Sequence, residues 1–176
     1  MSENTDIEGR LDLRLLPATA TLFRPYGHLV SAGAADPVHV NAGTALRYDI
    51  ARIDADTRPG SCLVASVFET APQALPLVVR LMERHAFSQQ AIVAMHSEDF
   101  ILAVALDDGH GRPDLASLRA FHFSGGGGVV YRRGVWHTPI IGLGGAGRFF
   151  VQSWQAGTTE DCEEQIVGPF VIRAGG

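Results

Sequence analysis

Residues 128–139 read GVVYRRGVWHTP. A short β-branched run, with Tyr131 and Arg133 on one face, meets Gly134, and His137 follows three residues later. Glycine lacks a Cβ and takes positive φ at little cost. The stretch therefore predicts a strand, a tight turn at Gly134, and an imidazole delivered just past the turn, aimed into the mouth of a barrel. Upstream, residues 75–90 read LPLVVRLMERHAFSQQ. If residues 76–85 form a strand, its period of two sets Leu77, Val79, Leu81, Glu83 and His85 on one face and Val78, Arg80, Met82 and Arg84 on the other. An apolar face that ends in Glu and His is expected to run into a site.

Working outward, the chain reads as many short strands. Leu11–Leu16, a strand after the Arg24–Gly27 turn, LRYDIARI from Leu46, CLVASVFET from Cys62, AIVAM and PFVIRA are all strand candidates. FILAVAL, a continuous apolar run from Phe100, predicts a strand buried on both faces. IIGL and RFFVQSW, separated by GGAG, suggest a hairpin. Asp114 can cap one or two helical turns in DLASLRAF, and TTEDCEE reads as a solvated acidic loop. About ten strands at spacings of roughly 8–12 residues signal an all-β sandwich or barrel with one or two short helical segments. Residues 1–10 are expected to be a mobile tail and 11–176 one domain, since 176 residues at 46% hydrophobic content suit a single core.

Composition narrows the function. A net charge of −5 without a basic cluster argues against nucleic acid, and no apolar run is long enough for a membrane span, so a small molecule is the expected partner. The polar start MSENTDIEGR suggests no signal peptide and a cytoplasmic protein. Cys62 and Cys162 make no CxxC; both read as free thiols, Cys62 as a small core residue. All 14 basic residues are arginine, which excludes lysine Schiff-base chemistry and leaves the guanidinium fork to hold a substrate carboxylate.

Cupin barrels carry one motif of the form G-x5-H-x-H-x3 or 4-E-x6-G and a second of the form G-x5-P-x-G-x2-H-x3-N. Gly134 and His137 match the G-x2-H of the second, and Glu83, His85 and Gln90 stand where the first has His, His and Glu. A metal site at His85, His137, Glu83 and Gln90 is thus weakened by the neutral amide. The chain more specifically resembles the ureidoglycolate lyase branch of the cupins, through F-R-P-Y-G at 23–27, N-x-G-x3-R-Y at 41–48, E-R-H at 83–85 with Gln90, P-D-L-x-x-L-R-A-F at 113–121 and Y-x-R-x-V-W-H-x-P at 131–139. The resemblance implies a cupin-type barrel, a homodimer, a divalent metal with nickel the usual suggestion, and cleavage of (S)-ureidoglycolate to glyoxylate and urea in allantoin breakdown.

That substrate carries a hydroxyl and a ureido nitrogen on one carbon beside a carboxylate, so its collapse needs one base and one acid. Glu83 or a metal-bound oxygen is the expected base, and Tyr131 or His137 the acid or orienting group. His85 is placed with them, and Arg47, Arg133 and Gln90 are expected to bind substrate. Structural roles stay open: an arginine partner for Glu83, core positions for the histidines, a tied-off hydroxyl for Tyr131, an interface for Arg133. Another small-acid cupin enzyme, an isomerase or oxygenase, and a non-catalytic ligand-binding module are the competing readings.

Overall fold

The structure, a computed structural model, describes residues 11–97 and 99–175. The tail expected at residues 1–10 lies outside the described residues. In chain order the strands are β1 (Leu11–Pro17), β2 (Gly27–Val30), β3 (Pro37–Val40), β4 (Ala45–Tyr48), β5 (Cys62–Thr70), β6 (Pro72–Gln73), β7 (Leu77–Arg84) and β8 (Gln90–His96). They continue with β9 (Asp99–Ala105), β10 (Arg119–Ser124), β11 (Gly128–Tyr131), β12 (Trp136–His137), β13 (Ile141–Leu143), β14 (Gly147–Gln155) and β15 (Glu163–Arg173). One four-residue helix, α1 (Ala20–Phe23), is capped by the Thr19 side chain.

One sheet runs β10-β1-β15-β7-β12-β9-β13-β6, and β10 also pairs with β9, which closes a ring. A second sheet, β2-β11-β8-β14-β5, packs against it, and β3 and β4 form a separate pair. This is an all-β, cupin-type barrel. Its centre is β9, where Phe100 through Ala105 have no exposed surface. Phe100, Leu102 and Val104 join the core between the two sheets, with Phe121, Val129, Tyr131 and Phe149. Ile101, Ala103 and Ala105 face the other way, into a core with Met82, Trp136, Phe170 and Ile172. One strand thus serves as the wall between two cores, which is why its sequence is continuously apolar rather than alternating.

Several expectations are corrected. The IIGL and RFFVQSW segments do not form a hairpin: β13 pairs with β9 and β6, whereas β14 pairs with β5 and β8, so the glycine loop carries the chain from one sheet to the other. The strand expected over LRYDIARI ends at Tyr48. DLASLRAF forms reverse turns, Ser117 to Asp114 and Leu118 to Leu115, because Leu118 and Ala120 are drawn into the core as β10 begins. Cys62 is exposed at the start of β5, a strand at the edge of its sheet.

The alternation of β7 also changes phase. Leu77 and Val79 lie in the same core as Met82, not opposite it. The change coincides with a register shift against β15, where Ile166 pairs with Leu81 but Phe170 pairs with Val79, so that four steps of β15 span two of β7. Leu81 and Glu83 fall outside that core.

Because β9 fills both cores, Leu102→Ala should lower the free energy of unfolding by about 3 kcal/mol in urea titration, and Leu46→Ala, at an exposed position, by less than about 0.5 kcal/mol.

Candidate active site

Two strand registers build the site. In the ring, β12 lies between β7 and β9, and His137 stands opposite Glu83. The two residues of β12 point to opposite faces: Trp136 enters the ring core, and His137 is delivered between the sheets at 1% exposure. In the facing sheet Tyr131 stands opposite Gln90. The sheets meet where the Tyr131 and His137 rings stack at 4.3 Å, with His85 stacked on His137 at 5.4 Å. The expected turn is present. Gly134 has φ +71, and its N–H donates to the His85 carbonyl at 2.9 Å, tying the two motif stretches together.

Both imidazoles are oriented by main-chain carbonyls. His137 Nδ1 donates to Val135 O at 2.9 Å and His85 Nδ1 to Asp161 O at 2.6 Å. A carbonyl only accepts, so each neutral ring presents the lone pair of Nε2 to the site. The lone pair of His85 receives an N–H of Gln90 at 2.8 Å. That of His137 faces Glu83 Oε1 at 3.5 Å and has no hydrogen-bond partner among the described residues, as is true of the buried Gln90 Oε1 and Tyr131 hydroxyl. A lone pair facing a carboxylate at this distance calls for a cation between them, either a proton or a metal ion.

Electrostatics assign protonation states. Burial raises the Glu83 carboxyl, but a positive charge shared with His137, charge at His85 and the Cys162 thiol together hold it below its ordinary value, so it is ionised at neutral pH. Burial, aided by His137, pushes the His85 imidazole down. Burial, aided by Glu83, pushes the Tyr131 phenol well up, which keeps its proton in place. Cys162 Sγ lies 3.8 Å from Glu83 Oε2, and burial with that charge pushes the thiol up to about 12, so it is a weak donor rather than a thiolate.

The side-chain oxygens and nitrogens of Glu83, His85 and His137 approach within 4.8 Å of one another. The open Nε2 of His137 and the Glu83 carboxylate fit a divalent ion of the kind that imidazole and carboxylate hold, and His85 Nε2 would join them on giving up the Gln90 N–H. Gln90 adds an unpartnered amide oxygen beside them.

A cleft of about 630 Å³ opens at Glu83 and Gln90, lined also by Arg80, Glu69, Thr138, Ile92 and Phe68. Of the residues singled out in the sequence, Glu83, His85, Gln90, Tyr131 and His137 come together. Arg47 and Arg133 do not line the cleft. Arg47 is exposed and paired with Asp49, and Arg133 donates to the carbonyls of Asp54 and Ala55. Strict alternation places Arg80 on the opposite face from Glu83, yet both line the same cleft, where the alternation of β7 breaks. Asp161, expected in a solvated loop, instead supplies the carbonyl that orients His85. No sequence signal marks that contact, which is made by the backbone.

A closed all-β barrel with Glu83 and Gln90 on a cleft wall and two imidazoles and a phenol packed behind them is a cupin-type scaffold carrying acid–base and metal-ligating groups. The chain belongs to the ureidoglycolate lyase family: the family model described as Ureidoglycolate lyase matches residues 10–173. Among its curated relatives, a protein named ureidoglycolate lyase from Burkholderia mallei (strain NCTC 10229) is 37% identical over 140 residues, covering 79% of this chain and 80% of the relative. Proteins of the same name from Salmonella paratyphi B (strain ATCC BAA-1250 / SPB7) and Salmonella newport (strain SL254) are each 37% identical over 132 residues, covering 74% of this chain and 80% of the relative.

The lowered His85 value has a sign that stability measurements can read. The unfolded imidazole takes up its proton at a higher pH than the folded one, so stability falls as pH drops through the ordinary histidine range. In chelator, His85→Gln should lose less unfolding temperature than the unsubstituted protein between about pH 7.5 and 5.5, measured by calorimetry. Equal losses would show that this imidazole is not the group responsible.

Proposed function

We propose that the protein is a ureidoglycolate lyase, splitting (S)-ureidoglycolate into glyoxylate and urea with Glu83 as base. The observation that carries the reading is the ionised Glu83 carboxylate, set opposite His137 and beside a protonated, unpartnered Tyr131 hydroxyl, at a cleft that Arg80 also lines. Arg80 precedes Glu83 by three residues, about 10 Å along an extended strand. A forked guanidinium at that distance holds the substrate carboxylate while the carbinol carbon reaches Glu83.

Glu83 then takes the hydroxyl proton, the oxygen forms the aldehyde of glyoxylate, and the bond to the ureido nitrogen breaks. Tyr131, whose proton is retained by burial, donates to the departing nitrogen, and urea leaves. Gln90 binds a polar group of the ureido moiety through its free amide oxygen. His137, wedged between Tyr131 and Glu83, orders both. His85, His137 and Glu83 would hold a divalent metal, nickel being the ion the family resemblance suggests. When bound it would supply Lewis acidity that makes the substrate hydroxyl more acidic. The reading carries with it a cytoplasmic homodimer acting on a small molecule, without nucleic acid or membrane as partner.

The same two imidazoles and one carboxylate are the ligand types of a non-haem iron oxygenase, which is the second reading. As-purified iron with substrate-dependent oxygen uptake would favour it over the lyase.

Three variants test the assignment by steady-state urea release. Glu83→Gln should reduce kcat by about 10²- to 10⁴-fold, and Tyr131→Phe by a similar order, as expected for a lost base or acid. Arg80→Gln should raise KM by tenfold or more, roughly the loss of one charged contact. Chelation should depress turnover in a manner that added nickel restores. Full activity of folded Glu83→Gln would remove it from the reaction.

A further inference from the structure

Between β4 and β5 the chain crosses residues 49–61 without helix or strand, yet it is fastened at many points. Gln89 accepts from Asp54 N at 2.9 Å and donates to Arg52 O at 3.1 Å, and Arg133 donates to Asp54 O and Ala55 O at 3.2 and 2.9 Å. The strongest fastening is Arg58. Its guanidinium donates to Asp56 Oδ2 from Nε at 2.9 Å and from Nη2 at 2.6 Å, and to Asp161 Oδ1 at 2.6 Å. Its flat face lies 4.3 Å from the ring centre of Phe87.

These contacts converge on His85 from two sides. The Asp161 side chain also accepts from the N–H groups of Ala156, Gly157 and Thr158 at 2.9, 2.7 and 3.0 Å, so carboxylate and loop form one unit. The carbonyl of that same residue accepts from His85 Nδ1. Phe87 stands two residues beyond His85, on the turn that leads to β8. One guanidinium therefore holds both the loop that supplies the acceptor and the turn that carries the ring.

We infer that Arg58 is a positioning residue for His85: through Asp161 and Phe87 it fixes the Nδ1–H tautomer and the ring angle that aim Nε2 into the site. Groups outside the ligand set that orient an imidazole in this way control its basicity and tautomer. A fork that bonds two carboxylates while stacking on a ring is specific to arginine, and lysine reproduces the charge alone. The inference rests on the assignment of His85 to the lyase site, but its readout does not need turnover.

The test compares Arg58→Gln, Arg58→Lys and, as a control on a remote ion pair, Arg173→Gln, whose partner is Asp12 at 3.2 Å. Imidazole ¹⁵N shifts of His85 are read by long-range ¹H–¹⁵N NMR in chelator-treated protein above the histidine titration range, and folding is checked by thermal unfolding. The unsubstituted protein and Arg173→Gln should show the Nδ1–H tautomer. Arg58→Gln should show a mixture of tautomers and Arg58→Lys a smaller admixture. In parallel, kcat for urea release should fall about 10- to 100-fold in Arg58→Gln and less in Arg58→Lys, with KM changed by less than about threefold.

Unaltered His85 shifts in a folded Arg58 variant would overturn the inference. If Arg58→Gln does not fold, the charge-preserving Arg58→Lys carries the same decision. Absence of urea release by the unsubstituted protein would instead defeat the lyase reading, leaving the tautomer comparison to decide the role of Arg58.

Discussion

The site depends on a charge constraint: the lone pair of a buried imidazole faces a carboxylate at 3.5 Å on the wall of the cleft. His137 cannot turn its proton toward Glu83 in the neutral ring, because Nδ1–H is bonded to the Val135 carbonyl. The arrangement is stable only with positive charge between the two groups. With that charge present, Glu83 stays ionised although its burial favours the neutral acid. Burial, with the charge of this carboxylate added to it, holds the protons on Tyr131 and Cys162. One unpaired juxtaposition thus sets a base and an acid side by side.

The barrel exists in part to maintain that juxtaposition. β12 is two residues long, and its position rests on what Trp136 does on the far side. The indole fills the ring core and donates to Asp107 Oδ2 at 3.2 Å, while Arg84 covers it at 4.8 Å and bridges Asp107 and Glu163. A buried aromatic anchored by a hydrogen bond is hard to shift. Any rotation of β12 that freed His137 would have to expel Trp136. Strand β9, with cores on both faces, supplies the other rigid edge.

Much of this was legible in the sequence because it follows from side-chain period and turn chemistry. The continuous apolar run at Phe100 announced a doubly buried strand, and the Glu83, His85 and Gln90 spacing together with V-W-H announced the converging groups. What escaped has physical causes. The alternation of β7 breaks where it pairs with an irregular stretch of β15, eighty or more residues away, so the period of two does not carry Arg80 to the cleft. Arg47 and Arg133 have the right charge for a substrate anchor, but charge does not reveal that a side chain is already bonded to Asp49 or to two carbonyls. The tie from Arg58 to Asp161 joins a turn and an acidic run that each look solvated when read alone. The path from β13 to β14 resembled a hairpin because a glycine loop between apolar runs does not tell which sheet the second run enters.

The central claim is that these groups break a carbon–nitrogen bond by collapse of a carbinolamide, without hydrolysing the urea. The most direct measurement is a carbon-13 NMR time course of the protein with (S)-ureidoglycolate, quantifying every product. The account predicts glyoxylate and urea rising together in equal amounts, with neither ammonia nor carbon dioxide formed. Release of ammonia and carbon dioxide, or no turnover by folded, metal-supplied protein, would contradict it.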